Sequence, residues 1–162
     1  MTSRAVPMIA LLLAAGLAGC AHEKVAQNGY RWAYLADSGE DPRLAYGRPD
    51  SDDVVLMMRC RPGAGQIDMS AVGLSGGELV LASGRSESRF AAARIDDAMS
   101  EGLMEARGDV GAPALRGFRK SGDLMLLNRG GRHSLAANSA DRGQVRAFFT
   151  ADRKSTRLNS SH

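Results

Sequence analysis

Val54-Val55-Leu56-Met57-Met58-Arg59-Cys60, then the turn Pro62-Gly63-Ala64-Gly65, then Gln66-Ile67-Asp68-Met69-Ser70-Ala71-Val72, is the stretch that decides the fold. Val54, Leu56, Met58 and Cys60 alternate with Val55, Met57 and Arg59, the period of two that sends successive side chains to opposite faces of a strand. The run is apolar enough to lie centrally in a sheet. In the return segment Ile67, Met69 and Ala71 alternate with Asp68 and Ser70, giving one apolar and one polar face. The Pro-Gly pair between them predicts a hairpin whose loop exceeds two residues.

Outward from this hairpin the same pattern recurs. Gly76-Gly77 turns the chain into a strand over Glu78 to Ser83, and Gly84-Arg85-Ser86-Glu87 turns it into another over Ser88 to Ile95. In the latter Phe90 and Ala92 face one way, while Arg89, Ala91 and Ala93 face the other. After a bend at Asp96-Asp97, Leu103 to Arg107 reads as a further strand. Ala112 to Lys120 predicts a helix: Pro113 suits a first helical position, Leu115 and Phe118 share a face, and Gly122 can end it. Asp123 to Asn128, the turn Arg129-Gly130-Gly131, and Arg132 to Ala137 form a second hairpin. Asn138 or Ser139 can cap a final helix with Val145, Phe148 and Phe149 on one side.

Toward the N-terminus, Leu44 to Gly47 is a short strand broken by the turn chemistry of Arg48 to Asp53. Tyr30, Trp32 and Tyr34 alternate with Arg31 and Ala33, a strand with one aromatic face. That face can be a ligand or sugar-stacking platform, or it can seal a core, which is the commoner use of aromatic area. Many short strands with closely spaced turns predict a mainly β domain over residues 30–151. Its expected form is an antiparallel sandwich or partly open barrel with two short helices near the C-terminus. About 130 residues suffice for one core.

The two ends of the chain carry a different kind of information. Arg4 precedes an uncharged run from Ala5 to Gly19, too short and interrupted to span a bilayer comfortably, which reads as a secretory signal over residues 1–19. The run closes on Leu17-Ala18-Gly19-Cys20, which resembles the lipobox of bacterial lipoproteins. The resemblance implies cleavage between Gly19 and Cys20, a diacylglycerol on the Cys20 thiol, and acylation of the freed amine. One acyl chain holds a protein marginally, whereas two or three anchor it stably. Residues 20–29 then form a polar, lipidated tether. Ala21 and His22 lack the aspartate that resembles an inner-membrane retention signal, so an outer-membrane position facing the periplasm is expected. At the other end, Asp152 to His162 back-translates without mismatch into a string resembling a common sequencing adapter. Residues 152–162 are therefore read as a non-native tail, with the natural chain cut after Ala151. The late helix, hairpin and helix also resemble small exported sandwich proteins of the invasion-associated locus B group, over about the last third of the chain and without a specific motif.

Setting the ends aside changes the charge balance. The chain has 21 Lys and Arg against 18 Asp and Glu; without Arg4, Arg153, Lys154, Arg157 and Asp152, 17 of each remain between Cys20 and Ala151. The formal +3 is thus a property of the ends. A nucleic-acid partner, which would need a basic stripe with stacking aromatics on the domain, is not expected.

With Cys20 committed to lipid, Cys60 is an odd thiol in an oxidising compartment. Either it is a small buried core residue, or it bridges to a cysteine lost at or just after position 152. The bridge would close a loop of roughly 90 residues and contribute about 4 kcal/mol in the chain-entropy model.

Of the constellations that carry chemistry, Gly73-Leu74-Ser75-Gly76-Gly77 fits the G-x-S-x-G pattern of a hydrolase nucleophile. That chemistry needs the serine between a strand and a helix, with a histidine in reach. Glu78-Leu79-Val80-Leu81 reads instead as a strand, which makes the glycines of residues 73–77 an expected hairpin turn, and the domain's one histidine is His133. Asp50, Asp52 and Asp53 could offer oxygen ligands to calcium, but they lack EF-hand spacing and suit a turn. One histidine and one cysteine give no zinc set. Arg107-Gly108-Asp109 spells an adhesion tripeptide at a strand end. No glycine loop leads into a helix to hold a phosphate, and no cofactor is expected.

The expected function is therefore a lipid-anchored, non-enzymatic binding or interaction module of the cell envelope, held at the membrane through Cys20 and contacting an envelope protein, peptide or glycan. The alternatives are a small hydrolase using Ser75 and an inhibitor of a wall-degrading enzyme.

Overall fold

The computed structural model describes residues 28–95, 102–128 and 131–159, of which 152–159 as backbone only. The signal segment, Cys20, the tether as far as residue 27, the bend at Asp96-Asp97, Arg129-Gly130 and residues 160–162 lie outside the described residues. Nine strands and two helices follow one another: β1 (Arg31–Leu35), β2 (Arg43–Gly47), β3 (Val54–Cys60), β4 (Gln66–Ala71), β5 (Glu78–Ser83), β6 (Ser86–Ile95), β7 (Leu103–Asp109), α1 (Pro113–Ser121), β8 (Met125–Asn128), β9 (Gly131–Ser134) and α2 (Arg142–Asn159). The strands make a single antiparallel sheet in the order β1-β2-β3-β4-β7-β6-β5-β8-β9, curled into a half-barrel. The partly open barrel is thus the form adopted, with both helices in the last third of the chain.

The curl follows from where apolar side chains fall. In β3 and β4 the register pairs Leu56 with Ala71, Met58 with Met69 and Cys60 with Ile67, and all six are buried on the concave face. Arg59 and Asp68, paired in the same ladder, stand on the convex face. One residue of slip would exchange the two sets, so the alternation itself fixes the register.

Between β4 and β5 the chain does not make the hairpin expected from the glycines of residues 73–77, because β7 and β6 lie between the two strands. Residues 72–77 cross the ends of β7 and β6, and β5, β6 and β7 then return as a meander that lays β7 beside β4, a Greek-key arrangement. From β7 the chain crosses the concave face as α1, packed on β5 and β6, before β8 pairs with β5. Helix α2 packs on β1 and β2. Leu115 and Phe118 of α1 and Val145, Phe148 and Phe149 of α2 close the core over the sheet.

Local chemistry explains the ends of α1. Pro113 lies in the first turn, where no amide hydrogen is needed, and Ala112 offers no side-chain cap. The hydroxyl of Ser88, reaching from β6, accepts the Ala114 N–H at 3.0 Å instead. Gly122 closes the helix in the left-handed conformation (φ 76°), and its carbonyl accepts the Ala137 N–H, so one residue ends α1 and begins the ladder that becomes β8 and β9. At Gly117 an added Cβ would lie 2.7 Å from the Ser83 hydroxyl, so glycine lets helix and sheet approach.

The β1 edge of the sheet is covered. Outward amides of Trp32 and Tyr34 donate to the side chains of Asp141 and Gln144, each at 3.2 Å. Asp141 and Gln144 are three apart at the start of α2, the spacing that puts two side chains on one helix face. Asn138 in turn accepts the Asp141 N–H at 2.9 Å and the Arg142 N–H on its carbonyl, fulfilling its expected capping role.

Among the described residues no helix is long and apolar enough to cross a membrane.

Candidate functional site

The aromatic run of β1 comes first, because it is the candidate platform. Trp32 is buried at 1% exposure, its ring 5.1 Å from Tyr46 and 4.9 Å from Phe118, with its indole N–H donated to the Leu135 carbonyl at 2.7 Å. Tyr30 and Tyr34 are half-buried against the same core. Tyr30 stacks on Tyr46 at 5.9 Å. The three aromatics share a face that packs on the core, Trp32 wholly and Tyr30 and Tyr34 in part.

Tyr30 also reaches the Asp turn. Its hydroxyl donates to the Asp53 carboxylate, the Arg48 guanidinium lies 5.6 Å from its ring centre, and Arg48 pairs with Asp53 at 3.6 Å. Asp53 is thus engaged by protein partners. Among the described residues no group of three His, Cys, Asp or Glu side chains is placed to hold a metal. The hydrogen bond to Asp53 raises the Tyr30 pKa, aided by partial burial and opposed by Arg48.

Because folding holds this phenol protonated above its unfolded value of about 10, the associated stability is complete below that pH. It is lost as the pH rises toward the folded value. Phenolate absorbance, with Tyr30→Phe as the subtraction, should show Tyr30 titrating above the ordinary tyrosine range. Asp53→Asn should bring it down, and Arg48→Ala should push it further up. A Tyr30 curve indifferent to both changes removes this assignment.

The serine motif lies in the crossing loop. Gly73 and Gly76 have φ of 72° and 116°, backbone states that other residues rarely adopt. Asn128, at the end of β8, pins the loop with its side-chain amide: Nδ2 donates to the Gly73 carbonyl at 2.9 Å, and Oδ1 accepts the Ser75 hydroxyl at 3.3 Å. Beneath the loop is an open cavity of about 320 Å³ on the convex face, bounded by Ser75, Glu78, Arg89 and Asn128 around Val80 and Leu127. Arg89 bonds Glu87 at 2.8 Å and Glu78 at 3.3 Å, and the attraction of Glu87, then its hydrogen bond and that of Glu78, raises its pKa further. These groups are more than two-fifths exposed, so their pairing orients the rim rather than stabilising the fold.

This geometry differs from a nucleophile elbow. A strand follows Ser75, as expected from Glu78 to Leu81. Leu127 of β8, on the cavity side, pairs with Arg132, whereas His133 pairs with core-facing Leu126 and so projects from the other face of β9. Ser75 and His133 are not brought together. What the cavity offers is a small apolar floor, a hydroxyl with acceptor capacity, an amide and an oriented ion pair: groups for recognition.

Two other motifs resolve into structure. Arg107 of the adhesion tripeptide pairs with Asp68 at 2.6 Å, Gly108 lies under the Phe90 ring, and Asp109 accepts the Gly111 N–H. Cys60 is fully buried on the core face of β3, and no disulfide joins it to another described residue.

The cavity residues Glu78, Arg89, Leu127 and Asn128 were not among the sequence candidates. Arg89 stood on the face opposite Phe90, which was visible. That Asn128 would clamp residues 73–75 had no local signal, because the contact depends on β8 pairing with β5. Comparison of the chain with known families, with characterised proteins and with solved structures found no match.

Proposed function

We propose that the protein is a lipid-anchored binding module of the cell envelope, non-enzymatic, tethered through Cys20 at the periplasmic side of the outer membrane. Its recognition site is the convex cavity under residues 73–77. The observation that carries the reading is that cavity: about 320 Å³, formed by a glycine loop clamped at Asn128. A site of this size, with an apolar floor and a few convergent polar groups, suits one unit of a peptide or glycan rather than a large cofactor. Val80 and Leu127 would take an apolar edge, and Ser75, Asn128, Glu78 and Arg89 would take hydroxyl or amide groups.

Titration of wall-derived peptides and of glycan fragments, followed by backbone amide resonances, should move Ser75, Gly76, Gly77 and Asn128 with one class and not the other. Leu127→Trp, which fills the floor, should weaken that binding at least tenfold. An undiminished response in Leu127→Trp, or shifts confined to other strands, rejects the site. A hydrolase reading keeps one point in its favour, since Ser75 lines the cavity. It requires that Ser75→Ala abolish a measurable hydrolysis of a bound ligand. Lipidation is tested separately: labelled palmitate should enter the wild-type chain and not Cys20→Ala.

A further inference from the structure

We infer that the cleft between the end of α1 and the first turns of α2 is a contact surface for anionic phospholipid headgroups. The inference extends the lipid-anchored reading above. Arg119 and Lys120 in the last turn of α1, and Arg142 and Arg146 in the first two turns of α2, all line this one cleft with Gly122 and Val145. Four cations converge there, and among the described residues none of them has an acidic partner. What sets the cleft apart is that four cations share one place; elsewhere on the domain several arginines are paired with carboxylates. Arg43 pairs with Asp37 and Glu40, Arg48 with Asp53, Arg89 with Glu78 and Glu87, and Arg107 with Asp68. A stretch from Cys20 to Ala151 with 17 charges of each sign has gathered one sign at this place.

Arg119 and Lys120 suit the negative end of α1. Arg142 and Arg146 have no such local reason. They sit at the positive end of α2, whose first turn holds no acidic residue and whose flanking carboxylate, Asp141, is buried and turned to the Trp32 N–H, so the helix dipole and the neighbouring cations oppose them. An external anion relieves both. The cleft measures about 30 Å³, roughly the space of one water, so it cannot enclose a headgroup and must meet a charged surface instead. Its position selects which surface. Asp141, the residue before Arg142, accepts the Trp32 N–H, which places the start of α2 against β1, the first strand after the tether from Cys20. A short tether brings to the bilayer the side of the domain on which it begins.

The test uses the chain from residue 20 onward with Cys20→Ser, which contains every described residue and carries no lipid. It is sedimented with vesicles of phosphatidylglycerol mixed with phosphatidylcholine, and with phosphatidylcholine alone. Each basic residue near an anionic surface contributes about 1 kcal/mol, close to fivefold in partitioning. R119Q/K120Q/R142Q/R146Q should therefore lose on the order of a hundredfold or more, and either half, R119Q/K120Q or R142Q/R146Q, on the order of tenfold. Binding should require the anionic lipid and vanish at high salt. R153Q/K154Q/R157Q, in the adapter-like tail, should retain most of it. Equal binding to neutral vesicles, binding to polyphosphate but not to vesicles, or loss in the tail variant alone overturns the inference. The acylation of Cys20 plays no part in these measurements, so its failure would leave them standing.

Discussion

Trp32→Ala should lower the stability of the domain by about 3–5 kcal/mol, at the upper end for a single truncation. Trp32 is the chain's one tryptophan, and its ring joins three elements. It lies against Tyr46 of β2 and Phe118 of α1, and Phe118 in turn meets Phe149 of α2 edge-on at 6.1 Å. Removing it opens a cavity where sheet and helices converge, and neighbours anchored to separate elements cannot collapse into it together. It also leaves the buried Leu135 carbonyl without the indole N–H. Trp32→Phe separates the two effects: the ring volume is largely kept, and the residual loss of about 1–3 kcal/mol reports the orphaned carbonyl. Chemical denaturation followed by circular dichroism measures both. A loss under about 1 kcal/mol for Trp32→Ala would mean that the aromatic face does not seal the core.

The second large effect is expected at Gly108. A Cβ built there would stand 2.3 Å from both Cδ1 and Cε1 of Phe90. The ladder that pairs Ala92 with Ala106 continues to set Phe90 opposite Gly108, so the ring lies flat over a backbone with no side chain of its own. Phe90 is 6% exposed and cannot swing outward without giving up its packing. Gly108→Ala should therefore cost about 2–3 kcal/mol through overpacking, and Phe90→Ala about 3–5 kcal/mol through a cavity. Made together, the two should cost less than their sum by at least about 1 kcal/mol, because the alanine methyl then occupies space that the ring has vacated. Strict additivity would show that the ring does not cover this glycine.

These two sites illustrate what could be read beforehand. Alternation in β3 and β4 placed Leu56, Met58, Ile67 and Met69 on one face, and the structure agrees, because side-chain period is a local property. Pro113 and Gly122 bounded α1 to within a residue for the same reason. The order of strands was not legible. Nothing in Gln66 to Ala71 says that its second neighbour is Leu103 to Asp109 rather than the next strand in sequence, since register patterns identify faces and not partners. Every feature that depends on that order was hidden with it: the Phe90 cover over Gly108, the Ser88 hydroxyl that caps α1 from the sheet, and the Asn128 clamp on the glycine loop. The strand of Tyr30, Trp32 and Tyr34 was legible as a surface, and the rings it meets, Tyr46 of β2 and Phe118 of α1, were not. The four cations between α1 and α2 escaped notice because they are dispersed along the chain within a neutral composition.

The Greek-key crossing has a kinetic consequence. Strands β1 to β4 and strands β5 to β7 can each form from hairpins between neighbours in sequence, but the seam of β4 with β7 must wait until the whole second group has come round. Residues 72–77 carry the chain from one group to the other, and the recess beneath them is completed by β5, β6 and β8, so it needs the last of these in place. An occupant of the recess therefore needs β5, β6 and β8 already assembled. Such an occupant prolongs the life of the folded chain.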